Sequence, residues 1–138
     1  MNNPGIQMDL FHRQSLNTTY ETKREMRMTV ARSRKSREEI VDEMNRLAVQ
    51  EGMRSTLSKA TLDNWLKDSD PGRMPMPAWM TIFCYVLNDT GPIAAMLAPL
   101  ECGVLTTEKR KLLIWAEAEQ MKRTATKRAR IAYESLEV

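Results

Sequence analysis

Apolar residues recur every three or four positions over most of the chain, which is the period of an α-helix. The repeat is clearest between residues 36 and 52, where its apolar positions are Ile40, Val41, Met44, Leu47 and Ala48. Ser36 followed by Glu39 has the spacing of a capping box, because a serine oxygen can accept from the amide three residues later. The pattern predicts a helix that starts at Ser36 and stops at Gly52.

A second amphipathic segment follows a short polar connection. Ser58 is a good N-cap, and Leu62, Trp65 and Leu66 fall on one face. Residues 68–72 are rich in Asp, Ser, Pro and Gly, so the helix must end there. We predict a helix of about ten residues. Its outward positions are Ser58, Lys59, Ala60, Thr61, Asp63, Asn64 and Lys67.

Three more helices are predicted around this pair. Residues 20–31 are ambiguous between helix and strand, although their Glu, Lys, Arg and Met content favours a helix. Pro77 fits the first turn of an apolar helix that runs to about Asn88. Pro92 then restarts a short helix.

The last segment predicts a helix of about thirty residues that starts at Thr106 or Thr107. Its apolar positions form a stripe close to a heptad seam and rich in alanine, namely Ile114, Ala118, Met121, Ala125, Ala129, Ala132 and Leu136. No segment has a convincing strand pattern. The predicted fold class is therefore all-α, a helix-turn-helix bundle of four to five helices with a long C-terminal helix.

Composition excludes several classes of protein. The chain is 42% hydrophobic and 28% charged, which is typical of a globular domain. No apolar run approaches the roughly 20 residues that span a bilayer, and the N-terminus does not resemble a signal peptide. We therefore expect a cytoplasmic protein without a membrane partner.

Few residues are suited to catalysis or metal binding. His12 is the only histidine and lies in a segment, residues 1–19, that we interpret as a mobile arm. Cys84 and Cys102 lie among apolar residues and are predicted to fill the core. Trp65, Trp79 and Trp115 are predicted to do the same. We therefore expect that the chain is not an enzyme and that it binds no metal, cofactor or small-molecule substrate.

The net charge of +3 is unevenly distributed along the chain. Residues 1–37 carry +5, residues 38–105 carry −5 and residues 106–138 carry +3. This asymmetry predicts basic segments on either side of an acidic core, and basic segments usually bind anionic partners. We divide the chain into a flexible basic arm that is partly helical (1–35), a helix-turn-helix domain (36–105) and a long helix (106–138).

The helices that start at Ser36 and Ser58 predict how the chain binds double-stranded DNA. The first helix would cross the phosphate backbone, and the second would present its outward positions to base edges in the major groove. Asn pairs with adenine, Lys with guanine or phosphate, and the Thr methyl contacts thymine. The predicted phosphate contacts are Arg32, Arg34, Lys35, Arg37, Lys122, Arg123, Lys127 and Arg128.

These segments resemble a known family. Residues 36–44 look like the first helix of λ-repressor-like helix-turn-helix proteins, residues 57–65 like their recognition helix, and residues 76–97 like the core helices that follow. Residues 61–66, Met76-Pro77 and Asp89-Thr90-Gly91 are also similar to phage CII-type regulators and to small helix-turn-helix proteins of Mu-like prophages. The family joins the two helices by a few residues, whereas here residues 45–56 extend the first helix and its connection.

The sequence supports two alternative functions from different classes. The first is a phage or prophage-type transcriptional regulator, active as a homo-dimer or higher homo-oligomer in a bacterial or phage-infected cell. The alternative is a helical interaction module, in which the helix-turn-helix is only architectural and the long helix forms a homo-oligomer.

Overall fold

The structure, a computed structural model, describes residues 15–69 and 72–136, and all its regular elements there are helical. Six α-helices lie in these ranges: α1 (Thr19–Ser33), α2 (Arg37–Gln50), α3 (Lys59–Leu66), α4 (Pro77–Leu87), α5 (Gly91–Leu97) and α6 (Thr107–Leu136). A 3-10 turn, Ala98–Leu100, follows α5. The predicted all-α class with a long C-terminal helix is confirmed.

Local start signals place the helices as predicted. The Ser36 hydroxyl accepts from the Glu39 N–H at 3.1 Å, and the Ser58 hydroxyl accepts from the Thr61 N–H at 3.1 Å. At α6, the Thr106 hydroxyl accepts from the Lys109 N–H at 3.2 Å. Each bond satisfies one of the amides that a helix start leaves without an intrahelical acceptor.

The chain divides into two units, Met1–Val104 and Leu105–Val138. The core of the first unit is built from α1 to α5. Its fully buried apolar side chains include Met26, Ile40, Met44, Leu62 and Phe83. The rings of Trp65 and Trp79 lie 6.5 Å apart in this core, so the predicted burial of both tryptophans is confirmed.

Two residues predicted to lie in the core, Trp115 and Cys102, are exposed. Trp115 is 63% exposed, because it lies on α6, a helix with no buried residue in the described part of its unit. Cys102 is exposed on the connection after the 3-10 turn. Cys84 is buried as predicted, and burial raises the pKa of its thiol to about 11.

Residues 19–33, predicted to belong to a basic arm, form a helix that packs into the first unit. α1 packs mainly against α5 and also contacts α3 and α4. Its buried residues are Thr22, Lys23, Met26 and Thr29, which recur at helical spacing on one face. The first unit therefore includes α1, in contrast to the predicted boundary at residue 36.

Residues 1–14, with His12 and most of the predicted mobile arm, lie outside the described residues. In the ranges that are described, no helix has the length and the apolar content needed to cross a bilayer.

Candidate nucleic-acid interface

α3 has one buried side and one exposed side. Leu62, Trp65 and Leu66 are buried. Ala60, Asn64 and Lys67 recur at four and three residues on the opposite side, and we call these three residues the α3 strip. Ala60 and Lys67 are exposed and Asn64 is half-buried. The strip is a subset of the outward positions that the sequence predicts.

Ion pairs with the first turn of α2 hold the start of α3. The Lys59 ammonium lies 2.9 Å from the Glu38 carboxylate, and the Arg37 guanidinium lies 2.5 Å from the Asp63 carboxylate. The hydrogen bond from Lys59 lowers the pKa of Glu38, and the same bond raises the pKa of Lys59. Arg37 likewise balances the negative charge of Asp63 on this side of α3.

Basic side chains from α1 hold the other end of α3. Lys23 is 1% exposed, and its ammonium donates to the backbone carbonyls of Asn64, Trp65 and Arg73 at 2.9 to 3.0 Å. Arg27 donates to the Leu66 carbonyl at 2.9 Å. Carbonyls at a helix C-terminus lack intrahelical donors and carry partial negative charge, so a cation is well placed there.

Sequence reasoning did not assign Lys23 this position. The signal was its place on the apolar face of α1, three residues before Met26 and seven before Val30. A lysine on such a face either extends its ammonium to solvent or finds acceptors inside the protein. The acceptors that it finds are 41 to 50 residues away in sequence.

The connection between α2 and α3 spans residues 51–58. Asn45 fixes it, because its side-chain amide donates to the Leu57 carbonyl at 2.8 Å and accepts from the Leu57 N–H at 2.7 Å. Leu57 itself is buried. α3 is thus held at its start, at its end and through the preceding connection.

The predicted phosphate contacts near α1 and α2 are mostly engaged within the first unit. Arg32 binds Asp89 at 2.9 Å, and Lys35 binds Glu43 at 2.8 Å. Arg37 binds Asp63, as described above. Arg34 is exposed at the end of α1, with φ at 59°. The structure therefore places three of these four cations beside carboxylates.

The predicted phosphate contacts on α6 are all exposed. None of Lys122, Arg123, Lys127 and Arg128 forms an ion pair with another described residue of the chain. Lys122, Arg123 and Lys127 line one side of the helix with Glu119, Thr126 and Arg130. Arg128 lies on another side, beside the alanine-rich stripe.

The described residues hold no group of three or more His, Cys, Asp or Glu side chains that could bind a metal ion. Comparisons of the chain with protein-family models, with curated proteins and with solved structures give no match.

Proposed function

We propose that this chain is a DNA-binding transcriptional regulator of phage or prophage type, which acts in the cytoplasm and reads DNA with α3. The observation that carries the proposal is the α3 strip, in which exposed Ala60 and half-buried Asn64 lie on a short helix held at both ends and exposed Lys67 caps its end. A side chain reads bases only if its helix is positioned reproducibly in the groove.

The chemistry of the α3 strip suits base edges. A primary amide such as that of Asn64 can pair bidentately with adenine, and an ammonium such as that of Lys67 can donate to guanine or to a phosphate. The Ala60 methyl is small enough for close approach and can contact a thymine methyl. The strip therefore combines two hydrogen-bonding groups with one apolar contact.

Cations on both units would supply most of the affinity, since phosphate neutralisation dominates binding to DNA. Lys122, Arg123 and Lys127 form no ion pair with a described residue. Arg32, Lys35 and Arg37 do have one, but ion pairs this exposed are worth at most about 1 kcal/mol. Arg32 and Lys35 can therefore exchange a carboxylate for a phosphate at low cost.

Selection of bound fragments from random DNA tests the proposal. We expect the wild-type chain to enrich one sequence, and Asn64→Ala to lose the preference at one base pair. Gln50→Ala is the matched control, because it removes an exposed amide from the far end of α2 and should leave the selected sequence unchanged.

Two results would count against DNA reading. If the wild-type chain enriches no sequence even at low salt, the alternative function, a helical interaction module, takes its place. If Asn64→Ala selects the same sequence as the wild type, Asn64 does not lie in the groove.

A further inference from the structure

α6 carries an apolar stripe that its own unit leaves uncovered. The stripe consists of the seven residues Ile114, Ala118, Met121, Ala125, Ala129, Ala132 and Leu136. Ile114 is 60%, Met121 74% and Leu136 83% exposed. Exposed apolar side chains aligned over about 33 Å of helix are typical of an interaction surface.

The spacing of the stripe keeps it on one side of the helix. Its steps of four, three, four, four, three and four residues form two 11-residue repeats. An 11-residue repeat corresponds to about 3.67 residues per turn, close to the 3.6 of a straight helix. The four alanines in the stripe also let a second backbone approach closely.

The residues beside the stripe identify the partner as a second copy of α6. In a parallel pair in register, a side chain on one flank faces the position five residues later on the other flank of the partner. The positions that would meet are Arg110 with Trp115, Glu117 with Lys122, and Arg128 with Tyr133. Two are cation–aromatic pairs and one is an ion pair, so all three are attractive.

Contacts within one helix do not explain this complementarity. Side chains that interact along a single helix are three or four residues apart, whereas these pairs are five apart. Trp115 and Tyr133 are exposed, which leaves their rings accessible to a cation from another chain.

We propose that α6 pairs in parallel and in register with α6 of a second copy of this chain, through the stripe, with Glu117 and Lys122 fixing the register. Arg123, Lys127 and Arg130 lie opposite the stripe and stay exposed in the pair. The inference concerns α6 alone and does not depend on DNA binding.

The first test uses analytical ultracentrifugation, without DNA, to measure the mass of the particle that the full chain forms in solution. We expect twice the 15.9 kDa chain mass. Met121→Lys places a charge in the stripe and should weaken dimerisation by more than about tenfold. Ile131→Lys is the control, because Ile131 is an exposed apolar residue of α6 away from the stripe. A monomeric wild type, or equal effects of the two variants, would overturn the proposal.

A charge swap tests the register. Glu117→Lys and Lys122→Glu should each weaken the dimer, since each places like charges opposite one another, and the double variant should restore it. A double variant as weak as either single variant would show that the two side chains do not meet.

Disulfide trapping tests the direction of pairing. In a Cys102→Ser background, two copies of Ala118→Cys should form a disulfide with each other, and so should two copies of Ala132→Cys. Two copies of Ile131→Cys should not. If the first two variants link to each other but not to themselves, the helices pair antiparallel and the proposal is wrong.

Discussion

Lys23 is a buried cation that joins α1 to the end of α3. Its ammonium donates to three carbonyls. The bond to the Trp65 carbonyl is buried, and a buried carbonyl that loses its donor costs about 1 to 3 kcal/mol. The side chain therefore stabilises both the first unit and the position of α3.

Replacing this ammonium should destabilise the first unit strongly. We expect Lys23→Met to lower the free energy of unfolding by about 3 kcal/mol, because methionine fills similar space but donates no hydrogen bond. Urea denaturation followed by circular dichroism measures the change. The control is Arg24→Met, at the exposed neighbouring position, where a shift within about 0.5 kcal/mol is expected. Similar losses in both variants would contradict the role of Lys23.

Among elements, the connection between α2 and α3 depends on one side chain. Asn45 makes two hydrogen bonds to Leu57, one residue before the Ser58 cap. We expect Asn45→Ala to lower the free energy of unfolding by about 1 to 3 kcal/mol, at about 1 kcal/mol for each bond. Denaturation curves of this variant and of Arg46→Ala, its exposed neighbour, make the comparison. An equal stability of the two variants would show that the connection does not need the amide.

The helix starts could be predicted because their signals are local. Ser36, Ser58 and Thr106 each bind an amide three residues later, so residue types at fixed spacing reveal the cap. The contacts that position α3 are different. Arg37 and Asp63 are 26 residues apart, and Asn45 and Leu57 are 12 apart. Nothing in the local pattern pairs such residues, because tertiary packing brings them together.

The same limit applies to charge over the whole molecule. The sequence separates a basic N-terminal segment from an acidic core, and this predicts anionic partners outside the chain. In the structure, cations of the first segment bind carboxylates of the second: Arg27 with Asp68, Arg32 with Asp89, Lys35 with Glu43, and Arg37 with Asp63. Much of the asymmetry along the sequence is thus cancelled within the first unit.

Asp89 makes the stability of the first unit depend on pH. Partial burial raises the pKa of Asp89, but hydrogen bonds from the Gly91 N–H and from Arg32 outweigh this effect and hold the pKa below 3.8, its ordinary value. Because the folded-state pKa is lowered, the stabilisation is present above pH 3.8 and is lost as the pH falls towards the folded-state pKa.

We therefore expect Asp89→Asn to flatten the acid limb of the stability curve. Urea denaturation at several pH values from neutral to about pH 3, just below the ordinary carboxyl pKa, would show this. Glu51→Gln is the control, because Glu51 is exposed and forms no ion pair with a described residue. A wild-type stability that stays constant as the pH falls through 3.8, or an equally steep loss of stability in Asp89→Asn, would contradict the linkage.

In the proposed DNA complex, the cations of α6 that form no ion pair with a described residue are the expected phosphate contacts, because most of the predicted contacts near α1 and α2 are paired. Each phosphate contact contributes about 0.9 to the slope of log affinity against log salt. Replacing both Arg123 and Lys127 with alanine should therefore reduce the slope by about 1.8 if both contact phosphates. Both residues lie opposite the stripe, so the double substitution should leave the proposed dimer intact.

The matched control replaces Lys109 and Lys111, which removes the same charge from the first turns of α6. Fluorescence anisotropy with the selected DNA at several salt concentrations gives both slopes. Equal losses of slope would mean that only net charge matters, because steering by overall charge does not depend on which cations carry it. A loss confined to the Arg123 and Lys127 variant would place that side of α6 on the DNA backbone.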